Sequence, residues 1–324
     1  MQQYRDTNYA AVSAALHARE AHLLTQALSE RMLEAPTAEE SCKILIECGY
    51  PPLEHCTLEE VETLLALSRA ELYREVAVLA PDKRIVELFQ LKYDYHNAKL
   101  ALKAKLTGED VSRLVIGCGR YDASALLRGE RGMLSSRMGR AMAQAERESE
   151  GGDVRAAELT LDRACFEEMS ALAKETESDF LIGYVALQID AINLRTLVRA
   201  QRMGASAELL SAALLPGGHI PAEQLKTARG DRLAELTRGS ALSAAGELAA
   251  SLTSGSLTAF ERACDDALMQ YLQRARRTAF GPEVIVGYLS AKEAEFTAVR
   301  TILSGKLAGL SAEDIRARLR LSYL

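Results

Sequence analysis

The sequence predicts an all-α protein built from three pseudo-repeated helical units. Three observations carry this prediction: the composition favours helices, three long helical patterns recur along the chain, and no segment shows the alternating apolar and polar residues of a strand. Hydrophobic residues make up 48% and charged residues 26% of the 324 positions, with aromatic residues at 5% and no Trp. Ala, Leu, Glu and Arg are prominent instead, which is typical of helices in a globular protein.

Charge and hydropathy indicate where the protein works. The 39 basic and 45 acidic residues give a formal charge of −6, whereas a protein whose whole surface binds nucleic acid is basic. Residues 1–6 lack the basic and then apolar pattern of a secretory signal. The best uncharged apolar run, residues 284–291, falls well short of the roughly 20 residues of a membrane span. We therefore expect a cytoplasmic chain that does not itself cross a membrane.

The six Cys residues contain no C-x-x-C pair. In a cytoplasmic chain this pattern predicts small buried apolar side chains rather than disulfides or metal ligands.

A signature of polar residues and glycine recurs in three long helical patterns. Each copy has an acid, a cation five residues later and a Gly nine residues after that, and the first two copies also have an Asn three residues after the acid. In the third copy Ala298 stands in the place of the Asn. The three copies are Asp94, Asn97, Lys99 and Gly108; Asp190, Asn193, Arg195 and Gly204; and Glu295, Arg300 and Gly309.

An apolar stripe accompanies each copy with the three- and four-residue steps of one helix face. The stripes are Leu88, Leu91, Tyr95, Ala98 and Leu102; Tyr184, Leu187, Ala191, Leu194 and Val198; and Leu289, Phe296, Val299 and Leu303. The Gly that follows each stripe predicts a turn of positive φ, and Asp110, Ser206 and Ser311 are placed to cap a further helix. Each copy is thus predicted to be helix, tight turn, helix.

A weaker repeat precedes the long helices and defines the units. Residues 162–165 recur as residues 261–264, with an echo at residues 68–70. Glycines near residues 117–119 and 216–218 indicate links. The predicted division is 1–116 for the first helical repeat, 117–215 for the second and 216–324 for the third.

The signature residues need partners outside their own helix. Five residues turn a helix by about 140°, so the acid and the cation do not share a face, whereas the acid and the Asn do. Because buried charge is rarely left unpaired, these groups are predicted to be satisfied polar side chains that fix how the helices of a unit cross.

No motif predicts catalysis, a cofactor or a metal. Gly305 and Lys306 lack the Ser or Thr of a P-loop, which excludes nucleotide binding by that motif, and residues 117–122 resemble a dinucleotide fingerprint only at their start. The five His form no metal-binding pair, and Asp265 with Asp266 lacks the third carboxylate of a Mg²⁺ site. We expect a chain that is not an enzyme and binds no nucleotide directly.

Two arginine clusters are candidates for contact with a protein partner. Neither has the interleaved aromatic residues that would stack on nucleic-acid bases. A solvated position or a helix end, where Arg suits the helix dipole, is the simpler interpretation, and a docking patch for a partner is the functional alternative. The clusters are Arg274, Arg276 and Arg277, and Arg316, Arg318 and Arg320.

The chain resembles the C subunit of bacterial and archaeal V/A-type rotary ATPases, which is called the d subunit in the eukaryotic vacuolar enzyme. The resemblance extends over nearly the whole chain. It is carried in order by residues 8–10 (NYA), 93–97 (YDYHN), 190–195 (DAINLR), 286–289 (VGYL) and 292–295 (KEAE).

The resemblance implies an all-α funnel with the three units in a pseudo-threefold arrangement, on the cytoplasmic end of the membrane rotor ring. The foot of the central shaft would fit into its mouth. The protein would transmit torque between shaft and ring for proton or sodium transport and would meet the membrane only through the ring. The third unit departs from the other two because Ala298 replaces its Asn, so the three units are not expected to be fully equivalent. The acidic balance predicts that the isolated chain is a soluble monomer.

Two alternatives remain open on the sequence alone. One is a helical scaffold or adaptor that serves a different partner, and the other is an all-α enzyme with an unrecognised site.

Overall fold

Helices form every regular element of the part of the chain that the structure describes. A computed structural model describes residues 6–251 and 257–324, and within these ranges all elements are α- or 3₁₀-helices. This confirms the all-α class. Residues 1–5, which make up most of the N-terminal segment considered above for a secretory signal, lie outside the described residues. The described chain forms two compact units, residues 6–81 with 257–324 and residues 82–251. The division into three repeats stays a prediction.

The first unit combines both ends of the chain. Its α-helices are α1 (Ala10–Glu20), α2 (Gln26–Glu34), α3 (Ala38–Ile44), α4 (Leu58–Leu79), α14 (Thr258–Leu272), α15 (Pro282–Leu307) and α16 (Ala312–Arg316). Short 3₁₀ segments lie at Asp6–Tyr9, Leu45–Cys48 and Gln273–Arg277.

The second unit is continuous in sequence. Its α-helices are α5 (Lys83–Thr107), α6 (Ala123–Leu127), α7 (Ser136–Glu150), α8 (Val154–Glu175), α9 (Asp179–Arg202), α10 (Ala207–Ala213), α11 (Ala222–Thr227), α12 (Asp231–Thr237) and α13 (Ser243–Ser251). A 3₁₀ turn lies at Ser112–Leu114.

Helix α15 is the centre of the first unit. It begins at Pro282, whose missing N–H suits the first turn of a helix, and every residue of its uncharged run 284–291 is buried. A helix that is apolar on all sides needs neighbours on all sides. Accordingly α15 packs against α1, α2, α3, α4, α14 and α16.

Helix α8 is the centre of the second unit and packs against α5, α7 and α9. The predicted stripes of α5 and α9 are buried throughout, as is that of α15 in the first unit. These buried faces confirm the helical periodicity read from the sequence.

The predicted glycine turns are present, but the element after the first one differs from expectation. Gly108, Gly204 and Gly309 have φ of 68°, 62° and 72°. Ser206 and Ser311 cap α10 and α16. Asp110 precedes no α-helix and accepts from the N–H of Ser112, at the start of the 3₁₀ turn Ser112–Leu114. The chain between the turn and the link is three residues shorter in the first copy, and a 3₁₀ turn of three residues stands where the second copy has the seven-residue α10.

The expectation for the cysteines is wrong at two positions. Cys42 and Cys56 form a disulfide in the first unit, with their Cα atoms 6.5 Å apart. A separation of 14 residues without a C-x-x-C pair gives no sequence signal for this bond. The four other cysteines, Cys48, Cys118, Cys165 and Cys264, are free and buried, as predicted.

Helix α9 is long and apolar enough to span a membrane by length and composition alone. Within the fold, 61% of its apolar window is buried against the rest of the chain, which is also how the core helix of a soluble protein behaves. Length and hydropathy are therefore weak evidence for a membrane span here.

Candidate functional site

Asp94 on α5 holds the link that follows the first repeat. Its carboxylate is fully buried and accepts hydrogen bonds from Arg120 Nε at 2.7 Å and from the backbone N–H of Tyr121 at 3.3 Å. Both donors lie in the segment that leads from α5 toward α6. We use the word clamp for a buried acid of a long helix that binds backbone N–H groups of a distant segment.

Asp190 on α9 forms the same kind of clamp with the link after the second repeat. Its carboxylate accepts from the backbone N–H groups of His219 and Ile220 at 2.9 and 3.0 Å, and the His219 ring nitrogen Nδ1 lies 3.0 Å from Oδ2. The carboxylate is buried, whereas the His219 side chain is exposed. The two clamps therefore share their geometry but differ in the side chain that supplements it.

The Asn of the signature, one helical turn after the acid, binds a residue that lies earlier in the same link. Asn97 donates from Nδ2 to the carbonyl of Ile116 at 2.8 Å and accepts from its N–H at 3.1 Å. Asn193 makes the same pair of bonds to Leu215, at 2.8 and 2.7 Å. Both amides are buried and replace the backbone partners that the link residue lacks. The acid and the Asn thus act as satisfied polar groups on one face.

A glycine lies against the acid in each of these clamps. A Cβ added to Gly119 would overlap Asp94 Oδ1, and a Cβ added to Gly218 would overlap Asp190 Oδ1. The link residues of the two clamps all lie 99 positions apart, as Gly119 and Gly218 do. In the sequence these glycines indicate only links, and the constant offset of 99 positions is the signal of a second repeated element.

The third clamp has a different composition. Glu295 Oε2 on α15 accepts from the backbone N–H of Leu24 at 2.7 Å, and its Oε1 accepts from the hydroxyl of Tyr50 and the ammonium of Lys292. Burial raises the pKa of Tyr50 far above its ordinary value, so its hydroxyl stays protonated and donates. Ala298 offers no amide, and Tyr50 and Lys292 supply the additional contacts instead.

Burial dominates the electrostatics of the first two clamps. It raises the pKa of Asp94, and hydrogen bonding and charge from Arg120 offset part of the rise. It also raises the pKa of Asp190, where the backbone N–H groups of Ile220 and His219 act in the opposite direction. Because desolvation is the first cause in both cases, each carboxylate depends on its link donors to stay charged.

Two of the signature cations, Lys99 and Arg300, each bind a neighbouring long helix of their own unit. Lys99 Nζ lies 2.5 Å from Asp162 of α8, and Arg300 makes two bonds of 2.7 and 2.6 Å to Glu62 of α4. Glu62 does not lie within residues 68–70, the weak copy of residues 162–165 that the sequence indicates on this helix. Arg195 is half-buried on α9.

A second polar bridge connects each of these helix pairs. Tyr95 of α5 and Arg120 of the link both bind Glu168 of α8, at 2.8 and 3.1 Å. In the first unit, Tyr73 and Arg69 of α4 bind Glu293 of α15, at 2.8 and 3.4 Å. Each pair is thus joined by one Tyr, one Glu and one Arg. These bridges leave no signal in the sequence, because each Glu lies on a different helix from the Tyr that binds it.

The arginine clusters differ in how far they are engaged within the first unit. Arg316 pairs with Glu30 at 2.7 Å, and Arg320 pairs with Asp265 at 2.7 Å. Asp266 accepts from the backbone N–H of Leu321 at 2.9 Å. The adjacent acids Asp265 and Asp266 therefore hold the C-terminal segment.

The other arginines are exposed. Arg274 lies over the ring of Tyr271, 4.8 Å from its centroid, and Arg276 lies 3.4 Å from the carbonyl of Tyr323. Arg277 and Arg318 have no side-chain hydrogen bond or ion pair to residues 6–251 or 257–324. Their role as partner contacts stays a prediction. In the same ranges, no three His, Cys, Asp or Glu side chains are grouped to hold a metal ion.

Comparison with known proteins gives a consistent family. The model of the ATP synthase (C/AC39) subunit family matches residues 12–318. The chain is 24% identical to the C subunit of the V-type sodium ATPase of Enterococcus hirae, covering 97% of this chain and 99% of the relative. It is 26% identical to the C subunit of the A-type ATP synthase of Methanocaldococcus jannaschii, covering 96% and 86%. It is 25% identical to the C subunit of the V-type ATP synthase of Thermus thermophilus, covering 93% and 94%.

Proposed function

This chain belongs to the ATP synthase (C/AC39) subunit family, and we propose on that premise that it is a non-catalytic coupling subunit of a V/A-type ion-translocating ATPase. In this role it is the socket between the central-shaft subunits and the membrane rotor ring, on the cytoplasmic face. It passes torque between them for proton or sodium transport and contacts the membrane only through the ring.

The clamps are the observation that carries the proposal. The acids and Asn residues of the signature are buried and engaged in holding links and adjoining segments. They are therefore not available to bind a substrate. A coupling part has to deform little under load, and close-packed helices with anchored connections provide that stiffness. Helices α5, α9 and α15, of 24 to 26 residues, are each about 36–39 Å long at 1.5 Å per residue.

We further propose that the three predicted repeats surround a pseudo-threefold axis in a funnel. Support comes from a pairing that recurs separately within each unit. The long helix α5 packs on α8, the helix before the next long one, and α15 packs on α4 in the same way. Each unit also has a clamp in which the acid binds the segment that enters the following repeat, with Leu24 as that segment for Glu295.

The decisive experiment is depletion and restoration in the assembled enzyme. The ATPase complex is purified with and without this chain and reconstituted into vesicles, and ATP hydrolysis and ATP-driven ion uptake are measured in parallel. We expect the depleted enzyme to hydrolyse ATP without transport, and the purified chain to restore transport at one copy per complex. Transport that persists without the chain, or ATP hydrolysis by the chain alone, would contradict the proposal.

A further inference from the structure

A basic groove lies on the second unit between α7, α8 and the link after α9. We define the basic groove by Arg137 and Arg140 of α7, Arg163 and Lys174 of α8, and residues 216–217 of the link. Its volume of about 740 Å³ is within the range of roughly 300–1,000 Å³ that is typical of ligand-binding clefts.

The groove is positive on a chain that is negative overall. Four cationic side chains line it and Glu167 is the one acidic residue of its lining, which gives a formal charge of +3. The whole chain carries −6. A concentrated positive cleft attracts anionic groups and increases their rate of encounter.

Two of the four cations are held in place and two are free to bind. Arg163 donates to the carbonyls of Ala212 and Leu214, at 2.9 and 3.2 Å, and Arg137 donates to the carbonyl of Glu167 at 2.6 Å. Arg140 and Lys174 are exposed and have no hydrogen bond or ion pair within residues 6–251 and 257–324. The bound pair shapes the walls, and the free pair lacks a counter-charge.

We propose that the basic groove docks an acidic segment of a partner polypeptide. A free phosphate or nucleotide is normally cradled by backbone N–H groups at a helix start or in a glycine-rich loop. Arg140, Arg163 and Lys174 project instead from within α7 and α8, beyond the first turns, where the backbone N–H groups are already used in the helices. Arg137 lies in the first turn of α7, but its guanidinium is already bonded to the carbonyl of Glu167. Recognition therefore depends on separated side chains, which fits carboxylates spaced along a segment.

An occupant of the groove would lie directly on the second clamp. Gly217 belongs to the groove, and the next three residues, 218–220, include the backbone groups that bind Asp190. A Cβ added to Gly217 would meet Ile189 Cδ1 at 3.3 Å, so this part of the link packs closely on α9. Binding should therefore slow amide hydrogen exchange at residues 217–220.

The test measures binding of a fluorescent twelve-residue oligoglutamate peptide to the full chain by anisotropy. The groove variant carries Arg140→Glu and Lys174→Glu. The matched control carries Arg147→Glu and Arg155→Glu, exposed arginines on the same two helices outside the groove, so both variants change the net charge equally. An oligolysine peptide, inorganic phosphate and vesicles with 30% phosphatidylserine are the comparison probes.

We expect the groove variant to bind the oligoglutamate peptide at least about tenfold more weakly, and the control less than about twofold more weakly, with affinity falling as salt rises. The variant with Arg140→Gln and Lys174→Gln should show an intermediate loss, and it tests the same point without charge reversal. Failure of the wild-type chain to bind the peptide, or equal losses in the groove and control variants, would overturn the proposal. So would groove-dependent binding of vesicles or phosphate in place of the peptide.

Discussion

Replacing Gly218 by Ala tests whether the second clamp holds the link as the structure indicates. The added Cβ would lie 2.9 Å from Asp190 Cγ, and ordinary contacts begin at about 3.4 Å, so the link has to move by at least 0.5 Å. Gly218 does not have a positive φ, so Ala brings no backbone strain of its own. The effect of the substitution therefore comes chiefly from the contact with the carboxylate, with a looser contact to Ile189 Cγ2 at 3.3 Å beside it.

The expected loss follows from the bonds that the movement affects. The N–H groups of His219 and Ile220, 2.9 and 3.0 Å from the carboxylate, would be stretched to the limit of hydrogen bonding. Bonds to charged groups contribute about 1.5–3 kcal/mol each, and overpacking costs about 1–3 kcal/mol. Because the stretched bonds weaken without being lost entirely, we expect a decrease of about 2–4 kcal/mol in the free energy of unfolding.

Urea and thermal unfolding measure this decrease, with Gly117→Ala as the matched control. Gly117 lies in the corresponding link of the first clamp, also without a positive φ, and a Cβ added there would meet nothing within 4 Å. Its replacement should be nearly neutral, whereas Gly119→Ala should resemble Gly218→Ala. In the background of Asp190→Ala, Gly218→Ala should have little further effect. Equal effects of Gly117→Ala and Gly218→Ala would refute the clamp.

Three further predictions concern other polar contacts. Asn193→Ala leaves the buried N–H and carbonyl of one link residue unpaired, so urea unfolding should show a loss of about 2–4 kcal/mol, and a loss below about 1 kcal/mol would contradict the pairing. Arg120→Ala removes the cation that opposes the burial-raised pKa of Asp94, so this pKa rises further. The loss of unfolding free energy should be largest at high pH, where Asp94 is charged, and should shrink as the pH falls through the raised pKa; a loss independent of pH would argue against the ion pair. Reducing the Cys42–Cys56 disulfide should lower the unfolding free energy by about 3 kcal/mol, as expected for a loop of roughly fifteen residues, and a Cys42→Ser variant should show no dependence on reductant in thermal melts.

The elements of the fold that depend on local periodicity could be predicted from sequence. The stripes of the long helices, and the glycine turns at Gly108, Gly204 and Gly309, follow from steps of three and four residues and from a conformation that glycine adopts easily. The signature acids and Asn could also be recognised as polar groups that need partners.

The identity of those partners could not be predicted in the same way. Asn97 binds a residue 19 positions later, and Asp190 binds one 30 positions later, across a turn and a short element. Neither of these separations in sequence corresponds to the period of a helix or a strand. The signature residues of the first and second copies lie 96 positions apart, whereas the link residues lie 99 positions apart, because the connection is three residues longer in the second copy. A repeat search at the single offset of 96 therefore does not align the links. Contacts of this kind depend on how the elements pack, which no local pattern encodes.

The third clamp differs from the other two because it joins the two ends of the chain. Glu295 and Leu24 are 271 positions apart, whereas Asp190 and Ile220 are 30 apart. In an unfolded chain, closing the longer loop costs about 2 kcal/mol more, since each doubling of loop length adds roughly 0.6 kcal/mol. The contacts of Tyr50 and Lys292 with the Glu295 carboxylate are of the right size to offset this difference, at about 1.5–3 kcal/mol for a bond to a charged group. In the third clamp the side chains of Tyr50 and Lys292 thus provide the supplementary contacts that the Asn provides in the first two.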